Sequence, residues 1–173
     1  YSGDTYWDAG GSTGNYGGID MNGHPLGLQN SALDCNANAS WLGVATTAGT
    51  LQLGGLINGN RTLQDITGNA TFTNLILNTY VTGVTKAYSN VIGTGNHAGT
   101  ALTKTGVGIQ ALTGLNSYKG KTSIKAGTLS INTIKLVGGV ANSLGQPALA
   151  QATINIGDTT TGASNDIERA TTL

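Results

Sequence analysis

Residues 102–129 read LTKTGVGIQALTGLNSYKGKTSIKAGTL, and their glycines divide the stretch into pieces of strand length. Glycine tolerates the sharp backbone turns that a narrow coil requires, so this spacing indicates short strands separated by frequent bends. The residues that we expect at the bends are Gly106, Gly114, Asn116, Gly120 and Gly127. The apolar residues that we expect to stack inward as a core are Leu102, Leu112, Ile124, Leu129 and Ile131. For Asn116 two roles stay open, a plain turn former and a side chain that bonds along stacked turns.

Short apolar clusters of the same kind extend on both sides of this stretch, from residue 41 to residue 157. Apolar and polar residues alternate in them, as in LQL at 51–53, which predicts strands with one inward face. We expect Leu136, Ile154 and Ile156 to lie on that face as well. The strand spacing alone fits a sandwich, a barrel or a solenoid. The tetrapeptide AGTL occurs at 48–51 and again at 126–129, and this repetition favours a solenoid.

The stretch 102–129 resembles the autotransporter-associated β-strand repeat, whose pattern reads roughly LTKTGxGxLxLxGxNxYxGxTxIxxGTL. Most positions of this stretch fall on the pattern. The resemblance implies an all-β fold, a right-handed parallel β-helix of the kind found in autotransporter passengers. It also implies display on, or release from, the surface of a bacterium with an outer membrane. A β-sandwich stays open as the alternative, above all for residues 20–100.

Composition divides the chain into three regions. Residues 1–40 are rich in glycine and asparagine and predict an irregular N-terminal cap, residues 41–157 predict the β-helix, and residues 158–173 predict a polar tail. Three aromatic residues fit either of two roles, because their faces can cover the open end of an apolar coil or stack on a sugar ring. These residues are Tyr6, Trp7 and Trp41.

The overall composition disfavours helices and several classes of partner. The chain has 28 Gly, 26 Thr and 17 Asn but only 16 charged residues among 173, a mixture that favours strands and turns. Residues 1–65 carry five Asp and one Arg, whereas residues 66–157 carry six Lys and no acid. These lysines have no nearby arginine and few aromatic partners, so we expect no nucleic-acid binding. No apolar run has the roughly 18 to 20 residues of a membrane helix, so we expect no membrane insertion. The lone Cys35 cannot form an internal disulfide.

Catalysis requires titratable groups that converge, and here the acids and the lysines lie apart along the chain. His24 and His97 stand in turn-like surroundings typical of exposed loops, and the sequence has no HExxH, GxSxG or paired-cysteine motif. We therefore expect no enzymatic activity, no cofactor and no metal site.

These observations predict an extracellular structural protein of a bacterial surface, as a segment of a filament, an adhesin stalk or a coat. An open β-helix exposes unpaired backbone groups at its ends, and the polar tail offers little to cover one of them. We therefore expect copies to assemble head to tail by strand addition. The alternative function is a surface module that binds glycan through the aromatic residues near the N-terminus.

Overall fold

The computed structural model describes residues 3–6, 17–21, 24–36, 42–45, 49–59, 63–64, 73–93, 100–135, 140–147 and 154–157. Within these ranges the secondary structure is all β. The strands, in chain order, are β1 (Asp4–Tyr6), β2 (Gly17–Asp20), β3 (Ala32–Asp34), β4 (Leu42–Ala45), β5 (Thr50–Leu53), β6 (Leu56–Ile57), β7 (Leu63–Gln64), β8 (Asn74–Asn78), β9 (Thr85–Tyr88), β10 (Ala101–Thr105), β11 (Ile109–Leu112), β12 (Thr122–Ile124), β13 (Thr128–Ile131) and β14 (Ile154–Ile156).

The chain visits its sheets in turn, so that strands adjacent in sequence lie in different sheets. The strand orders in the described part of the chain are β1-β3-β6, β2-β4-β7, β9-β11-β13 and β5-β8-β10-β12-β14. Every pair of these strands is parallel. Parallel neighbours require a crossover, which here is the rest of one coil. The arrangement is a β-solenoid, which confirms the β-helix prediction and replaces the alternative β-sandwich.

The core consists of side chains stacked in columns along the solenoid. Leu51 pairs in register with Leu75, and Leu75 with Leu102, so that one inward position repeats from coil to coil. Because parallel strands in register present the same face, one apolar position per strand is enough to build a continuous column. The buried apolar residues of the core are Met21, Leu33, Cys35, Leu51, Leu53, Leu56, Leu75, Leu77, Tyr88, Ile92, Leu102, Leu112, Tyr118, Ile124, Leu129 and Leu144.

The region expected to be an irregular cap contributes strands to the same sheets. β1 pairs with β3, β3 pairs with β6, and β2 pairs with β4. The described residues between 1 and 40 thus continue the stack of coils. The region boundaries at 40 and 157 stay a prediction.

Where the sheets of β6 and β9 meet, the Gln110 side chain forms hydrogen bonds that a neighbouring strand would otherwise form. Asn58 bridges to Tyr88, so the sheet of β6 touches the sheet of β9 at this end. Two residues before Asn58, at Leu56, the Gln110 carboxamide accepts a hydrogen bond from the Leu56 N–H at 3.0 Å and donates one to the Leu56 carbonyl at 3.0 Å. Buried peptide groups need partners, and this amide supplies both of them. The backbone can therefore diverge here without leaving Leu56 unpaired.

Candidate functional site

The predicted core of the stretch 102–129 lies in the interior of the solenoid. Leu102, Leu112, Ile124 and Leu129 are buried, and Ile131 is partly buried against them. They belong to strands β10 to β13. Strands β10, β11 and β12 pair with a strand before and a strand after them in the stack, and β13 pairs with β11. This segment is therefore a continuous part of the coil.

Asn116 joins three successive turns through its buried side chain. Its Oδ1 accepts a hydrogen bond from the Ile92 N–H at 2.8 Å, and its Nδ2 donates one to the Ser143 carbonyl at 2.8 Å. Its own backbone N–H donates to the Asn142 carbonyl at 2.9 Å. The sequence left two roles open for Asn116, a plain turn former and a side chain that bonds along stacked turns. The observed hydrogen bonds agree with the second role.

The predicted turn glycines serve two different physical purposes. Gly106 and Gly127 have φ of +72° and +66°, where a side chain would strain the backbone. Gly114 and Gly120 lack a positive φ but lie against backbone of the preceding coil, near Asn90 and Thr100 respectively. Gly106 and Gly127 also lie against neighbouring backbone, so all four bends require glycine for close packing and two of them require it for the turn as well.

Lys104 is a buried charged residue inside the solenoid, a role that the sequence interpretation missed. Its Nζ donates to the carbonyls of Thr105 at 2.6 Å, Gly106 at 2.8 Å and Ala126 at 3.2 Å. Burial lowers the pKa of this lysine to about 8, because the interior disfavours the charged form. The signal that could have indicated this role is the alternation of inward and outward residues along a strand. Lys104 lies two residues after the inward Leu102, so its side chain shares that face.

The remaining candidate residues do not form one site in the described part of the chain. Tyr6 is 55% exposed on β1, whereas Trp7 and Trp41 lie outside the described residues, as does His97. His24 is exposed. An aromatic cap is therefore not confirmed.

Cys35, whose role the sequence left open, is buried in the core. Burial, together with the nearby Asp34 charge, raises the pKa of its thiol to about 12. The thiol is accordingly a protonated, unreactive core group at neutral pH.

The last described strand, β14, leaves part of an apolar column uncovered. Ile154 and Ile156 are in register with the buried Thr122 and Ile124, so they lie on the inward face as predicted. They are nevertheless 41% and 55% exposed. These two side chains face inward but remain exposed, because β14 pairs with β12 alone among the described strands. Leu136, also predicted inward, lies outside the described residues.

With this geometry established, a comparison with protein families gives one match. Residues 102–131 match the family model of the passenger-associated-transport-repeat. The match confirms the resemblance to autotransporter passenger repeats, and the solenoid agrees with it. This transport repeat implies a passenger β-helix and a surface or secreted location in a bacterium. The family match covers residues 102–131 and does not extend to the rest of the chain.

Further comparisons with curated proteins and with solved structures gave no match. The described part of the chain contains no helix with the length and apolarity needed to span a bilayer. Its side chains also form no group of three or more His, Cys, Asp or Glu positioned to hold a metal ion.

Proposed function

We propose that this chain is a non-enzymatic structural segment of a bacterial surface or secreted protein, a rigid coil that associates head to tail in a filament, stalk or coat. The observation that carries the proposal is the exposed pair of apolar side chains at β14. Ile154 and Ile156 continue two adjacent columns whose preceding members are buried, and another strand in the same register would cover them.

The first described strand supplies a complementary edge. β1 pairs with β3 alone among the described strands, so in the part of the chain that the structure describes no strand covers its other backbone edge. An exposed edge of unpaired N–H and C=O groups is a template for strand addition. Contact between the β14 end of one copy and the β1 end of the next joins two different surfaces. Such a heterologous contact propagates into a fibre rather than closing as a dimer.

The titratable residues support a structural rather than a catalytic assignment. Lys104 is held by three carbonyls, and Lys86 forms an ion pair with Asp4 at 2.7 Å. The Cys35 thiol has a pKa of about 12 and is not a nucleophile at neutral pH. Each group thus has a structural role, and the proposal assigns no reaction, cofactor or nucleic-acid partner to the chain.

Sedimentation velocity and electron microscopy of the 173-residue chain over a range of concentrations test the assembly. We expect species that grow with concentration, and we expect high salt to slow their growth without dissolving finished fibres, because charges guide association more than they hold it. The Ile156→Asp variant should remain monomeric, since a carboxylate at the end of the column opposes its burial by a second copy.

Val107→Asp is the matched control. Val107 is as exposed as Ile156 but lies in the turn between β10 and β11, away from the β14 edge. This variant should assemble like the unaltered chain. A strictly monomeric unaltered chain at high concentration, in both low and high salt, would contradict the proposal.

A further inference from the structure

A cleft lies where the backbone between β8 and β9 departs from the stack of coils. It has a volume of about 240 Å³. One side is formed by the early coils, including Asp4, Asn30 and Gly54, and the other by residues 79–86. Lys86 reaches across to Asp4, with 2.7 Å between Nζ and Oδ1, and closes one border of the cleft. Segments distant in sequence therefore build a single concave site on the outside of the solenoid.

One wall of the cleft is apolar and open to solvent. Tyr80, Val81 and Val84 are 41%, 45% and 39% exposed, and all three line the cleft. Exposed apolar side chains that cluster beside a concavity mark a binding surface more often than scattered ones do. Tyr80 adds an aromatic ring, whose face suits the C–H groups of a sugar ring and whose hydroxyl can bond to water or ligand.

Thr79, at the inner side of the same cleft, has a buried hydroxyl that lacks a partner. Its Oγ1 finds no hydrogen-bond partner among the described residues. Its backbone is fixed, because its N–H donates to the Thr105 carbonyl at 3.2 Å and its carbonyl accepts from the Gly108 N–H at 2.6 Å. A buried polar atom without a partner costs about 1–3 kcal/mol, so a ligand that supplies one recovers that energy.

The polar border has hydrogen-bonding capacity beyond its own ion pair. The Asp4 carboxylate has several acceptor positions, and the Lys86 ammonium has three donors, of which their mutual contact uses only a part. Asn30 adds a carboxamide with both donors and acceptors. An apolar ring face opposite mixed donors and acceptors complements a molecule that is apolar on one face and carries hydroxyls around its edge.

From this juxtaposition we infer that the cleft formed by Asp4, Asn30, Thr79, Tyr80 and Lys86 binds one neutral pyranose unit of a glycan. The ring packs on Tyr80, its hydroxyls bond to the Asp4–Lys86 pair, and one hydroxyl reaches Thr79 Oγ1 after a rotation about the Thr79 Cα–Cβ bond turns that buried oxygen toward the cleft. The volume suits this ligand, being smaller than the roughly 300–1,000 Å³ of pockets that enclose drug-sized molecules. The inference goes beyond the structural role proposed above. It assigns sugar binding to Tyr80, a residue that the sequence analysis did not single out.

Saturation-transfer NMR on the 173-residue chain, with the methyl glycosides of glucose, galactose, mannose and N-acetylglucosamine, tests the inference. Measurements are made below the concentration at which the chain assembles, so sugar binding and self-association are scored separately. We expect transfer to at least one of these sugars, strongest at its ring C–H protons. In Tyr80→Ala the affinity for that sugar should fall about tenfold or more.

Tyr6→Ala is the matched control, because Tyr6 is an exposed tyrosine outside the cleft. It should bind the sugar as the unaltered chain does. Equal loss in Tyr6→Ala and Tyr80→Ala would overturn the assignment of the site.

Thr79→Val separates binding from folding. Valine keeps the shape and removes the unpartnered hydroxyl, so the free protein should become as stable or more stable. Sugar affinity should nevertheless fall by roughly two- to tenfold, the value of one neutral hydrogen bond. Unchanged affinity in Thr79→Val would mean that the hydroxyl serves an internal water, and it would overturn the inferred contact.

Three other outcomes would overturn the inference. The first is no transfer to any of the four sugars. The second is binding confined to sulfated or carboxylated glycans and abolished by salt, which would point to the exposed Lys121 and Lys125 instead. The third is binding of an extended peptide, but of no sugar, in a manner that depends on Tyr80.

Discussion

The transport repeat and the last described strand contain neighbouring members of one column but differ in what lies beyond them. Ile124, in the repeat, has β10 on one side and β14 on the other and is fully buried. Ile156 is its in-register partner on β14 and is 55% exposed. The residue type, the sheet and the facing direction are the same, so burial in this fold depends on the next coil.

The same column also contains a charged residue between two apolar ones, Leu77 and Ile124. Lys104 is in register with Ile124 and is equally buried. Its amine lies at the corner of the coil, where three carbonyls accept its hydrogen bonds. Charge-assisted bonds of this kind offset part of the cost of removing the ammonium from water. A buried column of this solenoid therefore includes a charged side chain whose hydrogen bonds are satisfied, as well as apolar side chains.

The largest expected effect is that of Ile124→Asp. This change buries a carboxylate without a partner between two coils, at a cost of several kcal/mol. We expect loss of the cooperative unfolding transition, measured by circular dichroism during urea titration. Ile156→Asp is the control in the same column and should change the free energy of unfolding by less than about 1 kcal/mol, because that side chain is exposed. Retained stability in Ile124→Asp would contradict the column.

Asn116→Ala should have the next largest effect. It leaves the Ile92 N–H and the Ser143 carbonyl without their bonds in a buried setting, which should lower the free energy of unfolding by about 2–4 kcal/mol. Asn155→Ala, on the outward face of β14, should cost less than about 1 kcal/mol. Equal losses in the two variants, measured by urea unfolding, would show that Asn116 acts only as a turn former.

Gly114→Ala tests close packing between coils without a change of backbone conformation. Its added methyl group would overlap the Asn90 carbonyl in the preceding coil, so we expect a loss of about 1–3 kcal/mol. Gly83→Ala is the comparison, since its methyl group would meet open space and only its φ of +73° resists the change. Thermal unfolding should rank Gly114→Ala as the more damaging of the two.

The smallest expected change per measured step is the dependence of stability on the protonation of Lys104. Its pKa is about 8 in the folded chain and 10.5 ordinarily, so between these values the unfolded chain binds more protons. Stability should therefore rise with pH in this window, by about 1 kcal/mol per pH unit, and should be flat below pH 8 for this group. Urea unfolding at pH 7, 8, 9 and 10, compared with Lys104→Met, isolates the contribution. If the free energies of unfolding of the unaltered chain and of Lys104→Met differ by the same amount at every pH, the result would contradict the lowered pKa of Lys104.

Sequence reasoning predicted the repeat well because its signals are local. Period two identifies Leu102 and Ile124 as inward, and the glycine spacing identifies the bends. The same reasoning missed the cleft beside Thr79 and Tyr80, because those residues meet Asp4 and Asn30 only through stacking of distant coils. It also missed Gln110 as a substitute for a strand, since Leu56 lies far from it in the chain.

The amino-acid sequence by itself determined the strands, their inward faces and the repeat, because alternation and turn preference act between residues close in the chain. Only the tertiary structure decided which residues stack on one another, because the coils differ in length: Leu102 pairs with Thr122, but Thr122 pairs with the much more distant Ile154. The structure thereby decided that Lys104 has carbonyl partners, that Asn116 joins three turns and that Ile156 remains exposed. Each of these properties depends on the neighbouring coil, whose register the local pattern does not encode.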